Sequence, residues 1–138
     1  MNKAIKQITE KLDEIKINYE ISNDINGIIL SLSCETLGIS IKFFIGTIEL
    51  KDDFYIIQIL TSELLKMKNE NEVLKILNKI NWESNFITYC ANENKNVQIK
   101  FYSFYSIENL ADNALEIIKE MLESLEKNYD TIMKANWS

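Results

Sequence analysis

The sequence contains no histidine and no proline in 138 residues, and all 15 of its basic residues are lysines. Histidine is the commonest general base and a frequent zinc ligand, so its absence argues against an enzyme. The lack of arginine and the net charge of −6 argue against nucleic acid as a partner, because phosphate groups are bound by basic surfaces in which guanidinium groups are prominent. We therefore expect no enzymatic activity, no catalytic residues and no binding of nucleic acid.

Long hydrophobic runs and cysteines are also scarce. The apolar runs have the length of strands, well below the ~20 residues of a membrane-spanning helix. Residues 1–17 place their apolar side chains at helical spacing between charges, which is not typical of a signal peptide. The two cysteines, Cys34 and Cys90, form no CxxC motif. We expect a cytoplasmic protein that binds no membrane and keeps its thiols reduced. A disulfide between the two cysteines is the less favoured alternative.

The chain length fits a single domain over residues 1–138, because domains typically contain about 100–150 residues. Apolar residues recur at helical spacing over 2–16, over about 69–80 and over 106–135, which predicts three helices. Asn69 and Glu72 have the spacing of a capping box at the start of the middle helix. The segments between the helices predict five or six strands joined by short polar turns. The predicted fold class is therefore α+β, with a largely antiparallel sheet, an N-terminal helix, a middle helix and a long C-terminal helix.

The strand patterns differ in the burial that they predict. Residues 28–34 alternate apolar side chains with serines, which is typical of a strand buried on one face. Residues 54–60 are apolar on both faces, so we predict a strand that is buried on both. Residues 39–50 form one long strand or two strands broken at Gly46. The segment SNDING predicts a turn in which Gly27 can adopt a positive φ.

Asn78 and Asn81 stand three residues apart, where the middle helix is predicted to end. Asparagine tolerates the left-handed conformation that terminates many helices, and Asn81 fits that position. The amide of Asn78 can bond to nearby backbone groups. We interpret the pair as a structural joint between helix and strand; a recognition site is the alternative.

Three carboxylates, Glu116, Glu120 and Glu123, share one face of the last predicted helix. Such a face can bind a hard cation, but a metal site needs further oxygen ligands or a histidine, and none is spaced to supply them. Glu123 also precedes Lys127 by four residues, a favoured surface pairing. We interpret this face as solvated, the two cysteines as inert thiols, and the chain as free of metal and cofactor.

The long C-terminal helix carries more apolar surface than one sheet is expected to cover, since about 28 residues span roughly 42 Å. We predict that the protein is a homodimer in which this helix, residues 107–135, or an exposed sheet edge forms a two-fold interface. Trp82, near the end of the middle helix, is a further candidate anchor. The alternative is that the helix simply spans the sheet. The predicted interface residues are Met121, Leu125, Tyr129, Ile132, Met133 and Trp82.

The order of elements, the segment 77–81 (LNKIN) that closes the middle helix, and the strand bearing Phe86 resemble the YbjN-like family. The hairpin through Lys100 and Phe101 and the long terminal helix complete the resemblance. The family pattern often has an arginine where this chain has Lys100. That family shares its fold with the small acidic chaperones of type III secretion systems. The resemblance implies a dimeric, non-enzymatic binding protein of the kind described as sensory-transduction regulators or secretion chaperones.

Two functional hypotheses follow. The first is a protein-binding module that holds a client segment on an apolar surface. The alternative is an acidic immunity protein or antitoxin that neutralises a basic toxin by complementary charge. A toxin gene directly beside this one would favour the alternative.

Overall fold

The computed structural model describes residues 2–22, 27–84 and 86–138. These residues form three helices and a seven-stranded sheet, which confirms the predicted α+β class. The elements are α1 (Lys3–Glu14), β1 (Tyr19–Ser22), β2 (Gly27–Cys34), β3 (Ile39–Glu49), β4 (Phe54–Thr61), β5 (Leu65–Lys66), α2 (Glu70–Glu83), β6 (Thr88–Ala91), β7 (Asn96–Ser106) and α3 (Ile107–Asn136). The predicted cap of α2 is present, because the Asn69 side chain accepts a bond from the Glu72 N–H.

The sheet is antiparallel at every pairing and has the order β1-β2-β3-β4-β7-β5, with β6 also paired to β7. Strands β1 to β4 form a meander of neighbours in sequence. Strand β7 is paired on both of its sides. On one side it pairs with β4 over residues 100–106 and with β5 over residues 96–97. On the other side it pairs with β6 over residues 97–100 only.

All three helices pack on one face of this sheet. Helix α1 is capped by Asn2, whose side chain accepts a bond from the Ile5 N–H and donates to Thr47 Oγ1 at 2.8 Å, which fixes α1 over β3. Helix α3 lies over β4 and β7 and contacts both α1 and α2. The buried core therefore forms between one sheet face and a layer of three helices, with large contributions from Tyr55, Phe43 and Leu110.

Strand β2 is buried as predicted, since Ile28, Leu30 and Cys34 are in the core while Ser31 and Ser33 are exposed. Strand β3 runs through Gly46 as one strand. The predicted SNDING turn falls largely on residues 23–26, outside the described residues. Gly27 is the first residue of β2, opposite Gly46, and a Cβ added there would collide with the backbone oxygen of Ile45. Its role in the structure is this close approach of two strands.

The prediction that β4 is buried on both faces is wrong. Tyr55, Ile57 and Ile59 are buried under the helices, but Phe54 and Gln58 on the opposite face are exposed. The pattern of apolar residues showed that both faces of β4 avoid charge. It did not show that all three helices would lie on the same side, which leaves the other face uncovered.

The prediction of surplus apolar surface on α3 is also wrong for Met121, Leu125 and Ile132, each of which is 1% exposed. Helices α1 and α2 pack beside α3 and cover the part of its apolar surface that the sheet does not contact. These three residues are core residues within one chain and offer no surface to a partner. Tyr129 and Met133 are half-buried, and Trp82 is 91% exposed. The homodimer stays a prediction without support from this stripe.

Candidate protein-binding surface

The sheet face away from the helices carries a contiguous group of apolar side chains. Ile48, Ile56 and Phe104 are aligned across β3, β4 and β7 by the strand registers. Phe54 lies beside them, with its ring centroid 6.4 Å from that of Phe104. Tyr102 precedes Phe104 by two residues in β7, so its side chain lies on the same face of the sheet. We call these five residues the open-face patch.

The open-face patch is exposed to an extent that is unusual for aromatic and branched side chains that adjoin one another. Tyr102 is 66% exposed, Phe104 64% and Ile48 59%. Scattered apolar residues are normal on protein surfaces, whereas adjoining ones that form a patch mark places where another molecule binds. Gln58 pairs with Gly46 of β3 on one side and with Tyr102 of β7 on the other. Its polar side chain therefore borders the patch on β4.

The outer edge of β6 is covered by a side chain. The Asn81 amide donates from Nδ2 to the Tyr89 carbonyl oxygen at 2.8 Å and accepts from the Tyr89 N–H at 2.7 Å through Oδ1. The amide group thus makes the two bonds that a neighbouring strand would make. The interpretation of Asn81 as a structural joint is correct, but the predicted C-cap is not, because α2 continues to Glu83. Asn78 is exposed to solvent.

Beyond Lys100, the same side of β7 has no partner strand among the described residues, because the pairing with β6 ends there. The Ile99 N–H donates to Thr61 Oγ1 at 2.9 Å, on the β4 side. Backbone groups alternate in direction along a strand, so the N–H and C=O groups of Tyr102 and Phe104 point away from β4. We call residues 101–106 on this side the free edge of β7.

The free edge of β7 lacks the features that usually protect such edges. Natural proteins place lysine, proline or a bulge on an exposed edge strand to prevent further pairing. Residues 101–106 read FYSFYS, with no charge and no proline, and they pair with β4 in continuous register. The same six residues supply two members of the open-face patch, Tyr102 and Phe104.

The exposed face of α3 carries several carboxylates. Asp112 forms a salt bridge with Lys11 of α1. Glu120 and Glu123 line a cleft of about 350 Å³ together with Ile87, which immediately precedes β6. Glu116 lies one helical turn before Glu120. Glu116, Glu120 and Glu123, the acidic flank of α3, are exposed and lie away from its buried residues, on the outer surface of the helix layer.

This acidic flank is solvated, as predicted, although its ion pairing differs from the expected one. Glu123 pairs with Lys119 at 4.0 Å, one turn before it, and not with Lys127. Within the described residues, no salt bridge involves Glu116 or Glu120. Among the described residues, no three acidic or cysteine side chains are placed together so as to hold a metal ion.

Both cysteines are free, so the alternative of a disulfide does not hold. Cys34 is buried, with its Sγ 3.6 Å from Glu126 Oε1. Cys90 is half-buried on β6, where burial raises the pKa of its thiol and the charge of Lys100 offsets part of that rise. A raised pKa keeps a thiol protonated and unreactive, which agrees with the interpretation of an inert cysteine.

Sequence reasoning missed a polar contact that joins the end of α3 to the start of α2. Asn136 is buried, and its Oδ1 accepts bonds from the N–H groups of Lys68 and Asn69, at 2.6 and 3.3 Å. Its Nδ2 donates to the Lys66 carbonyl oxygen at 3.1 Å. No local pattern marks Asn136, because its partners are distant in sequence and meet it only in the folded chain.

The predicted interface residues do not form one surface. Trp82 lies on the solvent side of α2, while the buried Met121 and Leu125 lie within the core. The exposed apolar surface lies instead on the sheet. The sequence predicted the strands that form it but did not predict a binding role for them. The alternation of apolar residues over 97–101 predicted the strand. Extending that alternation would have placed Tyr102 and Phe104 on the opposite face of the sheet from Val97, Ile99 and Phe101.

Comparison with solved structures identifies a similar fold. The crystal structure of YbjN from E. coli, described as a proposed transcription regulator, superposes with a TM-score of 0.52 over 91% of each chain, at 12% sequence identity. This likeness concerns the fold and agrees with the predicted resemblance at that level. No protein-family model matches the chain, and the search of curated proteins found no match. No helix in the described residues is long and apolar enough to span a membrane.

Proposed function

We propose that this chain is a non-enzymatic protein-binding module that holds a client protein on the open face of its sheet. The observation that carries the proposal is the open-face patch: Ile48, Phe54, Ile56, Tyr102 and Phe104 adjoin one another on a face that none of the three helices in the described residues covers. A fold like that of YbjN, with helices on one side only, is consistent with a module that binds through the other side.

The chemistry of this face suits a protein partner. Its centre is aromatic and aliphatic, and its border includes Gln58 and Lys100, both of them exposed. An apolar centre with a polar rim is the usual composition of a protein interface. Covering about 300 Å² of apolar surface contributes about 8 kcal/mol at about 25 cal/mol per Å², before the cost of association. This is enough for specific binding when the partner also satisfies the rim.

A second candidate function, an immunity protein or antitoxin, is favoured by one observation. The carboxylates of Glu116, Glu120 and Glu123 lie along one exposed flank of α3 in a chain with net charge −6. Such a flank attracts a basic partner and accelerates its association. A toxin encoded directly beside this gene, neutralised by the purified protein, would favour this candidate over the chaperone or regulator.

The proposed function is tested with a charge placed in the open-face patch. Phe104→Asp should abolish co-purification of the client from the native cell without unfolding the chain, because Phe104 is exposed. The matched control is Leu74→Asp, at an exposed apolar position on α2, which should retain the client. Equal recovery of the client by both variants would overturn the proposal. So would the absence of any client together with a small molecule that raises the melting temperature of the wild type.

A further inference from the structure

We infer that the cleft between the end of α2 and α3 binds a small organic cation, in which an ammonium group is joined to a short apolar body. We call it the α2–α3 cleft; its lining includes Ile80, Glu83, Phe86, Ile87, Glu120 and Glu123. The helices that form it lie on the opposite side of the sheet from the open-face patch. It is therefore a second site, independent of the proposed function.

The apolar part of the lining comes from the end of α2 and the segment that leads into β6. Ile80 and Ile87 are buried, whereas Phe86 beside them is 65% exposed. The volume of about 350 Å³ falls within the range of about 300–1,000 Å³ that is usual for small-molecule sites. The Phe86 ring, which lies largely in water, offers apolar surface that a ligand of this size can cover.

The charged part of the lining is mainly acidic. Glu83, Glu120 and Glu123 line the cleft together with Lys127. In the part of the chain that the structure describes, neither Glu83 nor Lys127 forms a salt bridge. Glu123 is paired with Lys119 only at 4.0 Å. Three carboxylates against one lysine give the cleft a negative potential, which attracts a cation.

The end of α2 adds to this negative potential independently of the carboxylates. Helix α2 ends at Glu83 with Ser84 as its C-cap, and its last turn contains no basic residue. The last carbonyl groups of a helix have no partner within it, so this end carries partial negative charge that a cation stabilises. Ile80, Glu83 and Ser84 all line the cleft. A bound cation would supply the positive charge that the last turn of α2 lacks.

Hydrogen bonds hold the walls of the cleft in place. Ser84 Oγ donates to the Ile87 carbonyl oxygen at 3.0 Å, within the connection between α2 and β6. Tyr89 Oη lies 2.9 Å from Ser124 Oγ, which joins β6 to α3. Asn128 Nδ2 donates to the Ser124 carbonyl oxygen at 2.9 Å. A site whose walls are fixed before binding loses little conformational freedom when its ligand enters.

Other classes of ligand use less of what the cleft offers. A metal ion needs several oxygen ligands around it, and no three acidic side chains among the described residues are placed to hold one. The carboxylates repel an anion, and they repel a second copy of this chain with its net charge of −6. An ammonium ion without an apolar body would leave the Phe86 ring in water. A cation with an apolar body uses both parts of the lining.

The probe for this site is 3-phenylpropylammonium. Two controls keep its body and change its charge: the neutral 3-phenylpropanol and the anionic 3-phenylpropionate. Methylammonium keeps the charge and lacks the body. In titrations followed by backbone amide chemical shifts, we expect saturable, roughly millimolar binding of the probe, about ten-fold tighter than that of each control. The largest shifts should fall on Ser84, Ile87 and Ser124.

Two matched pairs of variants test the two parts of the lining separately. Glu120→Gln should weaken binding of the probe about three-fold or more, whereas Glu116→Gln, one turn earlier on the same exposed flank, should change it little. Phe86→Ala should weaken binding, whereas Phe104→Ala, which removes a ring of nearly equal exposure from the open face, should not. Thermal melting checks that the variants are folded; if Phe86→Ala is not, the glutamate pair decides.

Several results would overturn the inference. They are an absence of saturable binding, equal affinity for the neutral or anionic control, and equal effects of Glu120→Gln and Glu116→Gln. Shifts centred on the open-face patch would place the probe elsewhere. If the peptide acetyl-Gly-Lys-Gly-amide binds the cleft more tightly than the probe, a lysine of a protein partner is the occupant and not a small cation. The proposed function is tested separately by Phe104→Asp, so its failure and the failure of this site are distinguishable.

Discussion

The side-chain amide of Asn81 in α2 makes paired hydrogen bonds to the backbone N–H and C=O of Tyr89 in β6. One side chain thereby replaces a neighbouring strand at that position. It ties the last turn of α2 to the sheet and covers the outer edge of β6, so that β7 supplies the adjacent open edge.

We expect Asn81→Ala to lower the free energy of unfolding by about 1–3 kcal/mol, because both backbone groups of Tyr89 lose their partner. The control is Asn78→Ala, one turn earlier and exposed, which should change it by less than about 0.5 kcal/mol. Urea denaturation of both variants measures the difference. Equal stability of the two variants would mean that water replaces the Asn81 amide at no cost.

Gly27→Ala should destabilise the fold by about 2 kcal/mol or more, because the new Cβ collides with the Ile45 backbone oxygen and must separate two central strands. Gly38→Ala is the comparison. Its added Cβ meets open space, and only its φ of +65° makes alanine unfavourable, which costs about 1 kcal/mol. Chemical denaturation should rank Gly27→Ala as the more damaging change, and the opposite ranking would contradict the packing at Gly27.

The Tyr55 hydroxyl is buried without a hydrogen-bond partner among the described residues. Removing an unpartnered buried polar group relieves its desolvation cost. We therefore expect Tyr55→Phe to leave the melting temperature unchanged or to raise it by about 2–4 °C. Tyr89→Phe is the matched control, because the Tyr89 hydroxyl lies 2.9 Å from Ser124 Oγ, and it should lower the melting temperature. A clear loss of stability in Tyr55→Phe would show that its hydroxyl is satisfied by a group outside the described residues or by water.

Leu125→Lys should destabilise the folded chain by about 3 kcal/mol or more, because a lysine at this 1% exposed position would bury its charge in the core. Leu74→Lys on the exposed part of α2 should cost less than about 1 kcal/mol. Thermal melting together with light scattering separates stability from association. A fully stable Leu125→Lys variant that differs from the wild type only in oligomeric state would indicate that Leu125 lies in a subunit interface and not in the core.

Sequence periodicity predicted those parts of the fold that depend on local order. Strand β2 was recognisable because serines alternate with buried apolar residues, and α3 because one apolar face persists along its length. The exposed face of β4 was not recognisable, since Phe54 and Ile56 have the same chemistry whether or not a helix covers them. Burial of that face depends on the side of the sheet to which each helix returns, and this is a property of the chain path.

The candidate protein-binding surface could not be predicted from the sequence for the same reason. Tyr102 and Phe104 have the residue types of an ordinary strand, and only the topology shows that the pairing between β6 and β7 ends before them, so that no strand of the described residues pairs with their outer side. Asn136 is a comparable case, because its bonds to Lys68 and Lys66 depend on where α3 ends in space. Residue types alone correctly suggested that Asn81 is structural, but the identity of its partner required the topology.

The pairing of β4 with β7 also has a consequence for how the chain folds. Strands β1 to β4 are neighbours in sequence and can pair through short turns, whereas β7 must return across all of α2 and β6 to reach β4. Contacts between distant segments form slowly, because the intervening chain must first be ordered. Until β7 arrives, the apolar edge of β4 is available to other copies of the unfolded chain. Refolding yield should therefore fall as protein concentration rises, even though the finished sheet has this edge fully paired.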